Sequence, residues 1–380
     1  MQSFRHIQAP LRVFAGDDSL AALDKELARA GCRHAAILCG NTLAAAAELD
    51  MLRAAANNRL AGVIAGVRMH SPWQAVQQVA AQLADMHADA VIAVGGGSAM
   101  VSARAAVIAL AERRPLQALC TQRNAQGEMI SPKLTAAKLP IFAVPTTPST
   151  AMIKPGAAVH DEASGARCAL FDPRTVSQAV FLHPGMLMTA PPALVRSAAL
   201  NSLTSAIEGL MSAACDRISE AMLIQATRVT AACLSSDAID TLRGRADLAA
   251  AAILAGRGTE NTGAGLATVI GHAMAQPLGI DGGMAKAASL PPVLRFNRGF
   301  VPEGRERLSL ALGGPDGDIE TTLAGVLAEL GVPTRLRDLG VPLETLPAIA
   351  DACLSDWFIR TNPRAIHEPS EILALLHEAW

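Results

Sequence analysis

Gly95-Gly96-Gly97-Ser98 closes the apolar run 89-DAVIAVGGG-97 and opens the segment 98-SAMVSARAAVIALAE-112. Glycines between a buried strand and a helix let backbone N–H groups approach a pyrophosphate closely, and the helix N-terminus adds partial positive charge. A turn of this kind also joins strand to helix with no ligand at all. Its place at the carboxyl end of a parallel strand, where open α/β sheets bind ligands, favours the binding reading. The spacing is not GxGxxG, so the ordinary dinucleotide fingerprint is absent. Pro145-Thr146-Thr147 ends the next apolar run and Thr150 follows it, which puts three hydroxyls in reach of the same crevice. Lys154 and Arg167 are cations suited to a substrate carboxylate, or else solvated loop charges. His160 in HDEASG and His183 in HPG flank turns and read as chemically idle. Glu208 reads as structural, near the surface of a helix bundle.

The elements that position these residues alternate through the first half. Apolar strands are read at 11–14, 34–39, 63–67, 90–94 and 141–144. Helices are read between them: one after Asp18 or Ser19, which can cap it, and one after Ser71-Pro72, with Ser as cap and Pro at the first helical position. The β-α-β order predicts a parallel, Rossmann-like sheet with helices on both faces. From about Pro191 strand signals end and helical patterns follow one another, at 193–214, 217–234, 247–256, 263–275, 318–331 and 370–380. Gly313-Gly314-Pro315 and Gly331-Val332-Pro333 read as turns between them. The expected organisation is an α/β domain at 1–188 and an all-helical domain at 189–380.

Composition fits such a chain. Of its 380 residues 51% are hydrophobic but only 3% aromatic, with no Tyr. Ala and Leu carry the apolar content and favour helix. A net charge of -2 gives no electrostatic reason to expect nucleic acid or a membrane surface as partner. No run approaches the roughly 20 apolar residues of a membrane span, and the first residues lack the apolar stretch of a secretory signal. Seven cysteines (Cys32, Cys39, Cys120, Cys168, Cys215, Cys233, Cys353) show no CxxC pairing. They read as buried free thiols in a reducing compartment, so the expected location is the cytoplasm.

In order and spacing the chain resembles the iron-containing alcohol dehydrogenases, which share a fold with glycerol dehydrogenase and dehydroquinate synthase. The stretches 95-GGGSAMVSAR-104, 145-PTTPSTAMI-153, 201-NSLTSAIE-208, 272-HAMAQPLG-279 with 281-DGG-283, and 361-TNPR-364 carry the likeness. The resemblance implies hydride transfer between NAD or NADP and a small-molecule substrate, in a homodimer. It places the cofactor on Gly95, Gly96, Gly97, Ser98, Thr146, Thr147 and Thr150, and at the end of a second strand on Asn41. A carboxylate there would select the free 2′-hydroxyl of NAD, whereas Asn tolerates a 2′-phosphate, so both cofactors stay open.

Departures are as informative. The family holds its metal with one Asp and three His, and the matching positions here are Asn201, Ser205, His272 and Gly282. Only His272 is a good ligand, and a divalent site wants several His, carboxylate or thiolate groups. Asp281, next to the lost His, is the nearest substitute oxygen. Gln276 stands where a second His would be and cannot shuttle protons near neutral pH. Val101 and Arg104 replace the Asp and Lys after the glycines. No tightly bound metal is therefore expected, and a carbonyl must be polarised by hydrogen bonds or cations. Candidates for that work are His272, Asn201, Gln276, Lys154 and Arg167. Asn201 also suggests the maleylacetate reductase branch, which puts Asn at the Asp position and needs no tightly held metal. That branch keeps the His residues replaced here. A catalytically silent nucleotide-binding homologue is the reading from a different class. A metal-dependent lyase like dehydroquinate synthase needs the missing ligands.

Overall fold

Short runs of Ala, Val, Ile and Phe form the strands of the first unit, because side chains buried on both faces suit a parallel sheet. The structure, a computed structural model, describes residues 3–124, 129–313 and 318–380. Chain order gives β1 (Arg12–Ala15), β2 (Ala35–Leu38), β3 (Leu60–Ile64), β4 (Ala90–Gly95), β5 (Gln122–Arg123), β6 (Met129–Ile130), β7 (Ile141–Pro145), β8 (Gly156–Asp161), β9 (Ala166–Phe171) and β10 (Ala179–Leu182). Six of them make one parallel sheet in the order β1-β10-β7-β4-β2-β3. β8 and β9 form a separate antiparallel hairpin. The helices of this unit are α1 (Leu23–Arg29), α2 (Asn41–Ala44), α3 (Glu48–Ala56), α4 (Trp73–Asp85), α5 (Gly97–Glu112), α6 (Leu116–Leu119) and α7 (Pro184–Met188). Leu23, Leu27, Ile37, Leu49, Ile92, Phe142 and Phe181 are fully buried around the sheet.

Several local expectations are corrected. The third strand is Leu60–Ile64 rather than 63–67. β10, where no strand was read, lies between β1 and β7, with Phe181 stacked on Phe14 at 5.3 Å. Ser71 does not cap α4, whose N-cap position is Pro72. The Ser71 hydroxyl instead bonds Ser98 O at 3.3 Å and Ser102 Oγ at 3.0 Å, which ties it to α5. Asp18 accepts no capping hydrogen bond either, and the buried Ser19 hydroxyl has no partner among the described residues. Six of the cysteines are buried and Cys168 is half-buried; all are free thiols.

The second unit is helical: α8 (Pro192–Leu210), α9 (Arg217–Leu234), α10 (Leu242–Thr262), α11 (Leu266–Leu278), α12 (Gly282–Phe296), α13 (Pro302–Leu312), α14 (Ile319–Glu329), α15 (Leu346–Leu354) and α16 (Pro369–Ala379). Caps set several starts. Asp216 accepts from Ile218 N and Ser219 N at the head of α9, and Thr241 Oγ1 from Gly244 N at the head of α10. The chain divides into Ala9–Ala190 and a unit formed by Met1–Gln8 with Pro191–Trp380, set beside the expected 1–188 and 189–380. Side-chain bonds explain where residues 3–8 go. His6 Nδ1 lies 3.0 Å from Asp216 Oδ2 and 2.8 Å from Asn261 Nδ2, and Gln8 donates to Arg257 O at 3.3 Å. The turn read at Gly313-Gly314-Pro315 lies outside the described residues from Gly314 on. Among the described residues no helix is long and apolar enough to cross a membrane.

Glu208 is not near the bundle surface. It is 7% exposed, and its carboxylate accepts from Ala267 N at 2.7 Å, Thr268 N at 3.2 Å and Thr268 Oγ1 at 2.6 Å. Those are first-turn donors of α11, left without a partner in their own helix. Glu208 thus caps α11 from α8.

Glu320, at the head of α14, holds α13 through a two-pronged pair with Arg305, both N···O distances 2.7 Å. Arg305 first, and then Arg298, draw its pKa down to about 2 against the cost of burial. The folded value lies below the unfolded value of about 4.3. The stabilisation is therefore whole above about pH 4.3 and is lost as pH falls towards 2. Glu320→Gln should lose roughly 1–3 kcal/mol at pH 7. In urea titrations at pH 7, 5 and 3.5 the gap to wild type should shrink at the lowest pH. A gap that is constant with pH would show that the pair contributes nothing through charge.

Candidate functional site

β4 delivers its glycines to the carboxyl edge of the sheet. Gly95 takes φ +137°, a conformation open to glycine alone at little cost, and its carbonyl accepts from Thr146 N at 3.0 Å. That bond locks the ends of β4 and β7 side by side. Gly96 and Gly97 then face the β7 loop. A Cβ on Gly96 would stand 3.1 Å from Thr147 Oγ1, and one on Gly97 2.9 Å from Ser149 Oγ. No side chain caps α5, so its first-turn N–H groups point out of the turn without a side-chain acceptor. Thr146, Thr147, Ser149 and Thr150 are buried, and Ser98 is half-buried. The glycine turn and the Thr146–Thr150 hydroxyls are thus brought together.

Asn41 opens α2 at the end of β2, the neighbour of β4, and is exposed. α2 reaches the turn through Leu43, whose Cδ1 would lie 3.7 Å from a Cβ on Gly95. Arg104 points elsewhere. It is 1% exposed and donates to Thr175 O at 3.2 Å, Gly156 O at 3.3 Å and Ala151 O. Burial pulls its pKa down to about 9, still well above neutral pH, so it remains a cation clasped by carbonyls. Lys154 is half-buried between the Thr150–Met152 turn and β8. Arg167 is exposed on β9, in register with His160 on β8. His183 is half-buried at the head of α7.

The helical unit gathers the other set. Asn201 and Ser205 lie one turn apart on α8, both half-buried, and the Ser205 hydroxyl donates back to Asn201 O at 3.0 Å. His272 lies on α11. Its Nδ1 is 2.8 Å from Asp356 Oδ2, and the rings of Trp357 and Phe358 stand at 6.3 and 6.2 Å. Asp356 is itself fixed by Phe358 N at 2.9 Å. The carboxylate orients the ring through Nδ1 and leaves Nε2 on its opposite side. Gln276, one turn further along α11, is exposed. Gly282 begins α12. Asp281, read as a substitute metal oxygen, is engaged as its cap, accepting from Met284 N at 2.8 Å. Among the described residues no three His, Cys, Asp or Glu side chains come together around a metal position.

Three contributors were missed in the sequence. Ser149 sits in the loop that was read only for its threonines. Asp356 is 84 residues from His272, and only its place before Trp357-Phe358 hinted at a cap. Lys286 Nζ donates to Asn201 Oδ1 at 2.5 Å. Its spacing four residues after Gly282, one helical turn, was the available signal.

Comparison with known proteins agrees with this layout. The family model for iron-containing alcohol dehydrogenase matches residues 10–184, and that for the C-terminal part of the Fe-containing alcohol dehydrogenase family matches residues 196–380. A lactaldehyde reductase of Escherichia coli strain K12 is 30% identical over 385 residues, covering 96% of this chain and 97% of the relative. A maleylacetate reductase of Pseudomonas aeruginosa is 26% identical, covering 100% and 98%. The solved structure of a 1,3-propanediol oxidoreductase superposes with a TM-score of 0.89 at 22% identity, over 100% of both chains. With both halves matched in order and a 30% identical oxidoreductase running nearly its full length, the chain belongs to the iron-containing alcohol dehydrogenase family.

Proposed function

We propose that the chain is an NAD(P)-dependent carbonyl reductase or alcohol dehydrogenase that moves a hydride to or from a small alcohol, aldehyde or keto acid without a tightly bound metal. The uncapped head of α5, framed by Gly96, Gly97, Thr147 and Ser149, carries this reading. Each of these glycines lacks the Cβ that would fill the cradle, and a pyrophosphate is the ligand for which such a cradle is suited. When bound, the nicotinamide supplies or accepts the hydride; the chain's own residues hold its phosphates and orient the carbonyl. Asn41 presents an amide rather than a carboxylate at the end of β2, which is compatible with either NAD or NADP.

The donor set argues against a divalent metal. Gly282 has no side chain, Ser205 turns its hydroxyl onto its own helix, and the Asn201 oxygen already accepts from an ammonium. Of the four positions only His272 keeps a good ligand, and a single imidazole does not make a divalent site. We therefore derive no step through a metal.

The test is elemental analysis of protein purified without added metal, followed by NADH and NADPH oxidation with lactaldehyde and a panel of small aldehydes and keto acids. Activity should survive dialysis against chelator. Near-stoichiometric iron or zinc, with activity lost to chelator and restored by metal, would sink the metal-free reading. Tight nucleotide binding with no turnover on the panel would favour a catalytically silent homologue.

A further inference from the structure

Strand β9 has a neighbour on each side. β8 runs antiparallel along one edge, with Val159 opposite Cys168 and Ala157 opposite Leu170. Along the other edge lies the end of α6, where Cys120 makes an antiparallel bridge to Leu170 and Thr121 N donates to Ala169 O at 2.7 Å. Residues directly opposite in such a bridge share a face, and residues two apart on one strand share it too. Cys120 is therefore the diagonal neighbour of Cys168, on the same face of the hairpin. The two thiols meet there in a hydrogen bond, with Cys120 S–H donating to the Cys168 sulfur. Asp161, opposite Ala166, stands on that face as well.

The pair is asymmetric. Cys120 is 6% exposed, whereas Cys168 is half-buried and open to solvent on one side. The hydrogen bond from Cys120 holds the Cys168 thiol below its usual range, against the opposing effects of burial and of the Asp161 carboxylate. The same bond, with burial added, pushes Cys120 up. The more accessible sulfur is thus the one that ionises more readily, and the buried one keeps its proton. An accessible thiolate beside a second thiol is the arrangement in which oxidation ends in a disulfide rather than in higher oxides of sulfur.

We propose that Cys168 and Cys120 form a redox centre of the α/β unit, in which hydrogen peroxide oxidises Cys168 and Cys120 resolves the product to an intramolecular disulfide. The Cys168 thiolate attacks one peroxide oxygen. An S–O bond forms, the O–O bond breaks, and the departing hydroxide takes up the proton released by the thiol to become water. Cys168 is then a sulfenic acid. Cys120 gives up its proton and attacks that sulfur; the S–S bond forms as the S–O bond breaks, and the hydroxyl leaves with the proton as a second water. Two thiols and one hydrogen peroxide become one disulfide and two waters, with sulfur oxidised and peroxide oxygen reduced by the same two electrons. The bond staples β9 to the end of α6. It also closes residues 120–168 into a loop that carries β7 and the Thr146–Thr150 hydroxyls. A thiol reductant restores both cysteines by exchange.

The test uses the full-length protein, reduced, freed of reductant, treated with hydrogen peroxide under native conditions and then alkylated. Peptide mapping without reduction should find the peptides of Cys120 and Cys168 joined. Cys32, Cys39, Cys215, Cys233 and Cys353 should still be alkylated once the chain is unfolded, and dithiothreitol should return both thiols of the pair. Single variants give the order of events. In Cys120→Ser a cyclic diketone probe for sulfenic acid should label Cys168. In Cys168→Ser it should label Cys120 at a rate lower by about tenfold or more. Circular dichroism checks each fold, and Cys120→Ala or Cys168→Ala stands in for a serine variant that does not fold. A bond from either cysteine to a different partner, a disulfide that forms only after unfolding, or equal labelling in the two variants overturns the proposal. So does a wild type in which both thiols survive peroxide, or in which Cys168 proceeds to sulfinic acid with Cys120 still free.

Discussion

Gly96→Val is expected to weaken NADH and NADPH binding by about 10²-fold or more, roughly 2.7 kcal/mol, with a melting temperature close to wild type. The separation of the two effects follows from the backbone. Gly96 sits at φ −81° and ψ −164°, extended values that valine adopts readily. The fold therefore does not need glycine there for its conformation. What it needs is space. A Cβ would stand 3.1 Å from Thr147 Oγ1, and the valine methyls would extend further, over the head of α5 where phosphate oxygens are expected to sit. Gly95 is the control. At φ +137° a side chain is strained whatever the space, so Gly95→Ala should cost stability as well as binding. Calorimetric titration with both nucleotides, alongside thermal melts, separates the two. An unchanged dissociation constant in a folded Gly96→Val protein would remove the glycine turn from the cofactor site.

Arg104→Met is expected to lose about 3–5 kcal/mol from the α/β unit. Methionine fills much of the same volume but leaves Thr175 O, Gly156 O and Ala151 O without this donor. These carbonyls belong to three separate segments around the β8–β9 hairpin. One guanidinium joins them to α5; the Thr175 carbonyl is fully buried and the other two partly so, and an acceptor that loses its donor away from water carries a desolvation cost. At 2–4 °C per kcal/mol for a unit of this size, the first thermal transition should fall by about 10 °C. Arg104→Lys keeps the charge but offers fewer directed donors, so it should fall in between. A melt of Arg104→Met within about 2 °C of wild type would show that the clasp is redundant.

The parts of the fold most legible in sequence were those written in consecutive residues. The run Ala90–Gly95 followed by glycines states a buried strand, a tight turn and a helix start within ten positions, and the parallel sheet follows from repetition of that unit. β10 was missed because four residues, Ala179–Leu182, are too few to show any period, and its burial is supplied by β1 and β7, which are remote in sequence. Glu208 was misplaced for a related reason. A carboxylate in an apolar helix looks like a surface residue until the head of α11 is seen against it. In the candidate site, Asn201, Ser205 and Gly282 were readable as departures from the resemblance position by position, since each is a change of residue type at a fixed spacing. Lys286 was not. Its contact is with an amide on another helix, which no local pattern expresses.

The first residues of the chain have a consequence for the order in which the protein is made. Residues 9–190 contain everything the α/β unit is built from, so it can finish folding before the helices beyond Pro191 leave the ribosome. Residues 3–8 cannot share that early completion. The side chains that bind His6 and Gln8, those of Asp216, Asn261 and Met222 among them, are synthesised more than two hundred residues later. A segment translated ahead of the sheet is therefore seated only after the bundle exists, and until then it trails outside a finished unit.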